Sequence, residues 1–412
     1  MFERMRQEHG LAYDERLVAG YSEISTVPST IPKKPVEAAL EPAQPESSHS
    51  MSLEAVYERF LADPTKRRST RTLLAHQTTC RVAKEVLGAE TPIKSISREN
   101  CRELLDILHW LPVNYSKKYP KLTVRQAAAK AQADKSIATI NATNLNAYMA
   151  RFATMLNWAV TEEYITRNPA KGLQLTEPVR PQDRRRPFEL WQLQKIFTAP
   201  IFTGCKDDQA GYASPGSVIA EGARYWVPLI GLFSGMRLNE ICQLDVTDIR
   251  VIDGVACFVV TEESLTGSRD KSLKTKSSAR IVPVHPQLLD LSFMAFAERK
   301  ERGGAIKVFD DLPLGAKGFR SIAFSRWFAR FLQSSGASAS KTCFHSFRHC
   351  FRDAARNARI DRDIVLTLGG WVTGGGKSDA AEAYGKGYNA QVLYAALATI
   401  KYPDLDLSHL LL

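Results

Sequence analysis

Three short segments in the second half of this 412-residue chain carry side chains able to handle a charged ester. The first is Leu229–Ile249, LIGLFSGMRLNEICQLDVTDI, where an apolar helix runs into Ser234-Gly235-Met236 and Arg237 follows. A glycine beside an arginine at a helix–helix corner lets the guanidinium point into a cleft, and Glu240 faces inward by its spacing. The second is Phe344–Asn357, in which His345 and Arg348 are three apart and share one helix face. The third is Leu366–Ala396, where a helix ends at Gly369-Gly370, Trp371 follows, and glycine-bearing segments flank Tyr384. A guanidinium is permanently charged and matches a phosphate bidentately. An imidazole exchanges a proton near neutrality, and a phenol that loses its proton is a nucleophile. Each segment alone has a plainer reading: Arg237 pairing with Glu240 or Asp245, an ordinary surface H-x-x-R, a tyrosine that packs or caps.

Helices must position most of these groups. Leu53, Val56, Tyr57, Phe60 and Leu61 recur at helical spacing, and further runs cover Arg71 to Leu87, the stretch after Ser97-x-x-Asn100, and Ser136–Tyr164. In the last run Leu145, Tyr148, Met149, Phe152, Met155, Leu156 and Ala159 form a core-packing stripe that stops before Pro169. Val255–Thr261 and Arg280–His285 are short, β-branched and apolar, and read as a hairpin-like pair with a polar, lysine-containing stretch between them. A final helix begins near Asn389, with Val392, Leu393, Ala396, Leu397 and Ile400 at helical spacing. The fold expected is mainly α with a small antiparallel β-sheet.

Composition sets the boundaries. Residues 25–50 are rich in Pro, Ser and Glu, so residues 1–50 read as a flexible or partly helical arm and linker. A helical domain spans 51–175, a basic connector with Arg184, Arg185 and Arg186 spans 176–187, and a second domain spans 188–412. Between helices of the first domain lie Lys117, Lys118, Lys121, Arg125, Lys130 and Lys135, either a solvated face or contacts to a DNA backbone. Net charge is +11. The seven cysteines are scattered without C-x-x-C spacing, which speaks against a disulfide framework or zinc site and for a reducing interior. No stretch has the roughly 18 apolar residues of a membrane span, so the expectation is a cytoplasmic, soluble protein with no membrane partner.

The order along the chain is more informative than any one motif. Arg237 in Ser234-Gly235-Met236-Arg237-Leu238-Asn239-Glu240, a hairpin lysine in Lys274-Thr275-Lys276, His345-x-x-Arg348, Gly-Gly-Trp371 and Tyr384 follow one another within one domain. This resembles the tyrosine recombinase (phage integrase) family, whose members carry an arginine in a T-G-x-R-x-x-E corner, a lysine on a β-hairpin, H-x-x-R, a G-H or G-W position and a late tyrosine. The stretch from Trp158 to Ala170 is similar to the end of that family's helical core-binding domain, so the resemblance covers roughly Met51 to Tyr402. Two departures stand out. Trp371 occupies the usual histidine position, and Thr373-Gly374-Gly375-Gly376 lengthen the interval to Tyr384, which leaves Tyr388 as a rival nucleophile.

The resemblance implies a helical, SAM-like core-binding domain followed by a mixed α/β catalytic domain. It implies an enzyme that cuts and rejoins duplex DNA at specific recombination sites, without metal, ATP or cofactor, for a bacterial prophage or other mobile element. Tyr384 would be the nucleophile, Arg237 and Arg348 the phosphate clamp, His345 the base and Trp371 a donor to a phosphate oxygen. Lys274, ahead of Lys276, would protonate the leaving oxygen, with Lys276 on the DNA. Implied partners are the DNA, three further copies joined through the C-terminal tail, and accessory DNA-bending proteins. A DNA-binding protein without catalysis, a type IB-like topoisomerase and a metal-dependent nuclease are the rivals. The complete residue set argues against the first, and the separate helical domain and the helix after Tyr384 favour a recombinase over the second.

Overall fold

The computed structural model describes residues 51–411 apart from Arg67, 178–184, Lys274, 276–277, Lys317 and 372–386. The arm expected over 1–50, Arg184, the two hairpin lysines Lys274 and Lys276, and Tyr384 therefore lie outside the described residues.

Capping side chains start the first helices where the sequence provides them. Ser52 accepts from the Ala55 amide and opens α1 (Leu53–Ala62), which buries Leu53, Val56, Tyr57 and Phe60. Ser69 opens α2 (Thr70–Leu87), which stops at Gly88. Ser97 and Asn100 cap α3 (Arg98–His109) reciprocally. Thr123 and Gln126 do the same for α4 (Val124–Ala133). The next helix, α5 (Ala142–Thr161), begins later than Ser136 because the Asp134 carboxylate accepts from the Ser136 amide and hydroxyl and holds a turn. Its stripe is core: Leu145, Met149, Phe152, Met155, Leu156 and Ala159 are buried.

After Pro187 the chain builds one continuous core running from Phe188 to Leu410. It holds α6 (Leu190–Phe197), α7 (Ala223–Ser234), α8 (Leu238–Cys242), a small sheet, α9 (Phe293–Arg302), α10 (Ser321–Ser334), α11 (Ser346–Asn357), α12 (Arg362–Gly369) and α13 (Ala390–Leu397). Helix α7 is buried on nearly every side, as its unbroken apolar sequence requires.

The sheet has three strands in the order β1 (Ile249–Ile252), β2 (Val255–Val260), β3 (Arg280–Pro283), all antiparallel. The β2–β3 pair is the one read from the sequence, with Val260 opposite Arg280. Strand β1 was not anticipated. Its signal was Asp253-Gly254, whose φ angles of 51° and 78° are both positive, as a two-residue type I′ hairpin turn demands.

All seven cysteines are free thiols. Among the described residues no helix is long and apolar enough to cross a membrane. The chain end packs on its own domain: Leu405, Leu407 and Leu410 are buried in the core, and the Tyr402 hydroxyl donates to the Leu232 carbonyl at 3.0 Å.

Candidate active site

Helix α7 ends at Gly235, which has φ 62° and lies so close to Phe351 that a Cβ would come within 2.5 Å of that ring. Glycine is required there twice over, by conformation and by space. The chain turns and presents Arg237 as the first residue outside α8. Arg237 donates from Nη1 to Glu240 Oε1 at 2.5 Å and from Nη2 to the Gly370 carbonyl at 2.7 Å. Both readings of this arginine hold together: it pairs with Glu240 and remains one-quarter exposed. Asp245, the other partner considered, is paired instead with Lys307 at 2.7 Å.

Arg348, on the first turn of α11, is 2% exposed. It donates to the Gly235 carbonyl, to the Gly369 carbonyl at 2.8 Å, and lies 4.5 Å from the centroid of Trp371. Its Nε–H meets no acceptor among the described residues. Trp371 also faces Arg352 at 5.5 Å, so its indole is wedged between two guanidiniums. The left-handed Gly370 lets the chain turn there, and a Cβ would stand 2.8 Å from Arg280 Nη1 and 3.3 Å from Arg237 Nη1. The Gly-Gly pair thus allows the α12 terminus to approach the arginines.

A third arginine joins them that the sequence reading assigned no role. Arg280, the first residue of β3, bonds Glu240 Oε2, the Leu368 carbonyl and the Ser278 carbonyl, each at 2.9 Å. Arg237 and Arg280 therefore share the Glu240 carboxylate, while Arg348 bonds the Gly235 and Gly369 carbonyls beside it. Burial pushes Glu240 upward, but Arg280 first and then Arg237 outweigh it and hold the carboxyl below its usual range. Burial, with Arg237 beside it, pulls Arg348 down to about 9. It stays charged at neutral pH, and among the described residues Glu240 offsets only part of the positive charge of the neighbouring arginines. Such a surplus is what an anion-binding site needs.

His345 sits just ahead of α11. Burial first, then Arg348, Arg185, His349 and Arg237, pull its imidazole down to about 4. The ring is neutral at pH 7, the form a proton acceptor must have. In an NMR titration of the free protein His345 is expected to titrate near pH 4. Because this value lies below the unfolded one, its contribution to stability is present above about pH 6.5 and is lost as the pH falls toward 4. An inflection near 6.5 would show that the ring does not feel these arginines.

A buried ionic network anchors the β2–β3 connection on which the hairpin lysines were placed. Lys271 meets Asp248 at 2.7 Å and donates to the Glu263 carbonyl at 2.6 Å. Lys307 bridges Asp245 and Asp270, Arg320 holds Asp270 at 2.7 Å, and the Ser272 amide donates to Gln243 Oε1. Sequence reading missed this network because its acids and bases come from segments far apart in the chain.

The other basic residues stand apart. Lys117, Lys118, Lys121, Lys130 and Lys135 are exposed. Arg125 is exposed too, yet it bonds Glu103 and the Val86 carbonyl, both at 2.6 Å, which ties it to neighbouring helices. Arg185 and Arg186 are exposed, and the Arg186 amide donates to the Lys341 carbonyl. Tyr388, immediately before the Asn389 cap of α13, is 39% exposed.

Comparison with known proteins decides the family. The model of the phage integrase family matches residues 226–375, from α7 through the corner, sheet, H-x-x-R and Gly-Gly-Trp segments. The integrase fold extends further along the chain. A structure of the Tn1549 transposon integrase with circular intermediate DNA is similar over 81% of this chain and 98% of its own, at TM-score 0.52 and 16% identity. A lambda integrase tetramer bound to a Holliday junction is similar over 83% and 84%, at TM-score 0.50 and 17% identity. No curated protein matches the chain. The expected fold class, a mainly helical chain with a small antiparallel sheet and a tyrosine-recombinase catalytic domain, is the one found.

Proposed function

We propose that this protein is a site-specific tyrosine recombinase that cleaves and rejoins duplex DNA through a 3′-phosphotyrosyl bond. The observation that carries the reading is the gathering of Arg237, Arg280 and Arg348 on the backbone of Gly235 and Leu368–Gly370, with a neutral imidazole that feels their charge. Attack on a phosphodiester builds negative charge on the non-bridging oxygens, and preorganised guanidiniums stabilise it without reorganising at the moment of reaction. The Tyr384 oxygen bonds phosphorus as the bond to the 5′-oxygen breaks. The phenolic proton passes to His345, and the leaving oxygen takes a proton from Lys274, or from Lys276 if that lysine is the closer. Trp371 steadies Arg348 through its ring face and offers its indole N–H to a phosphate oxygen. The bond energy is kept in the phosphotyrosine, so religation to another strand runs the same steps backward.

Residues 51–175 and 188–412 act as two domains that grip the duplex, with Lys117, Lys118, Lys121, Lys130 and the Arg184–Arg186 connector on its backbone, and Arg125 chiefly structural. The Tn1549 and lambda integrases, named for a transposon and seen with a circular intermediate and a Holliday junction, support a role in moving a mobile element. Nicked suicide duplexes with a randomised core test the reading directly. Covalent adducts surviving denaturation identify the site, and peptide mapping identifies the linked residue. Absence of any adduct across the library would overturn it.

Strand exchange needs four active sites, and we place their coupling in the tail. Leu405, Leu407 and Leu410 occupy the chain's own core, so coupling would exchange this segment between copies in a closed ring. Deleting the residues after Tyr402 should lower the melting temperature, since each buried leucine lost costs about 2–5 kcal/mol, and should end cooperative assembly on a full site. A truncated protein that assembles and recombines normally would rule out the exchange.

A further inference from the structure

We propose that Arg280 is a positioning residue for the phosphate clamp: by holding one oxygen of Glu240 it keeps Arg237 free to bind the scissile phosphate. The inference rests on the recombinase reading above and adds a residue to it.

Glu240 is almost fully buried and has two oxygens to satisfy. Oε1 takes Arg237 Nη1, while Oε2 takes Arg280 Nη2 and the Arg237 amide. A carboxylate facing a lone guanidinium tends to close a bidentate pair with it. Arg280 prevents that by claiming Oε2, so the Arg237 guanidinium contacts the carboxylate through one nitrogen and reaches the Gly370 carbonyl with another. Arg280 is itself fixed, because its Nε and Nη1 are bonded to the Leu368 and Ser278 carbonyls and its side chain is 6% exposed. One side chain thereby joins the Arg237 corner, the β3 strand and the end of α12. It also holds the charge balance: with Arg280 present, two of the three guanidinium charges are left for a bound anion.

Removal of Arg280 has two consequences that an ordinary core ion pair would not share. Glu240 is released onto Arg237, so neutralising Glu240 should repair part of the damage. The positive charge available to the phosphate falls, so the damage should shrink when the phosphate itself carries less negative charge. Arg280→Met, Glu240→Gln/Arg280→Met and wild type are compared by rate of adduct formation on a suicide duplex recovered from the randomised library. The same duplex is prepared with a methylphosphonate at the scissile position, in which a methyl group replaces one charged oxygen. Arg280→Met should lose about 100-fold on the ordinary diester, the cost of one preorganised donor. It should stay within about threefold of wild type on the methylphosphonate. The double variant should be faster than Arg280→Met on the diester. Arg280→Lys, too short in donors to hold Glu240, Leu368 and Ser278 together, gives the same comparison if the methionine variant does not fold. Equal losses on both phosphates, or a double variant slower than the single one, would make Arg280 a structural ion pair and overturn the inference alone. A wild-type protein that forms no adduct with the ordinary diester would overturn the recombinase reading itself.

Discussion

Tyr384→Phe is expected to abolish the covalent protein–DNA adduct and strand exchange, a loss on the order of 10⁴-fold or more, as for other single nucleophile deletions. Only the phenolic oxygen is removed. DNA affinity should therefore change by less than about tenfold, the most that one neutral hydrogen bond of about 0.5–1.5 kcal/mol accounts for. The measurement pairs denaturing gels for the adduct with mobility shift for binding. Tyr388→Phe is the essential companion. Tyr388 stands directly before the cap of α13 and is well exposed, whereas the family's tyrosine precedes that helix by several residues. An adduct that persists in Tyr384→Phe and disappears in Tyr388→Phe would transfer the nucleophile's role to Tyr388.

Arg348→Lys is expected to slow adduct formation by about 10²–10³, or about 3–4 kcal/mol of transition-state stabilisation, with a much smaller loss of DNA affinity. Lysine preserves the charge, so long-range attraction to DNA survives. It cannot donate to the Gly235 and Gly369 carbonyls at once, nor lie flat 4.5 Å from Trp371. The resulting ammonium is free to move where a planar fork had been fixed. Arg237→Lys should behave alike in cleavage but disturb the fold less, because Arg237 is partly exposed while Arg348 sits in the core. Losses that are equal in binding and in cleavage would reduce either arginine to a backbone contact.

The sequence by itself determined the candidate site residues and their order. Arg237, His345, Arg348 and Trp371, and Tyr384 as the proposed nucleophile, could be singled out because each lies in a short local motif whose spacing follows from helix periodicity or a glycine turn. Helix starts at Ser97 and Asn389 were legible for the same reason, since a cap is a contact between near neighbours in the chain. The inward turn of Glu240 and the β2–β3 pairing were also local consequences. Strand β1 had a local signal too, in Asp253-Gly254, that went unread.

Only the tertiary structure decided what surrounds those residues. Arg280 gains its part because β3 carries it to Glu240, 40 positions earlier in the chain, and to the carbonyl that ends α12, 88 positions later. The protonation state of His345 depends first on burial and then on charges brought from its own helix, the connector and the corner, none of which a spacing can add up. On the β2–β3 connection Lys271 is spent on Asp248, and nothing in the local sequence marks it for that partner. Leu405, Leu407 and Leu410 near the chain's end show no partner in the local sequence, yet they close its own core. Burial and Coulomb energy are sums over neighbours in space, whereas the sequence displays neighbours along the chain. It could therefore name the groups of the site while the fold alone set their charges and their partners.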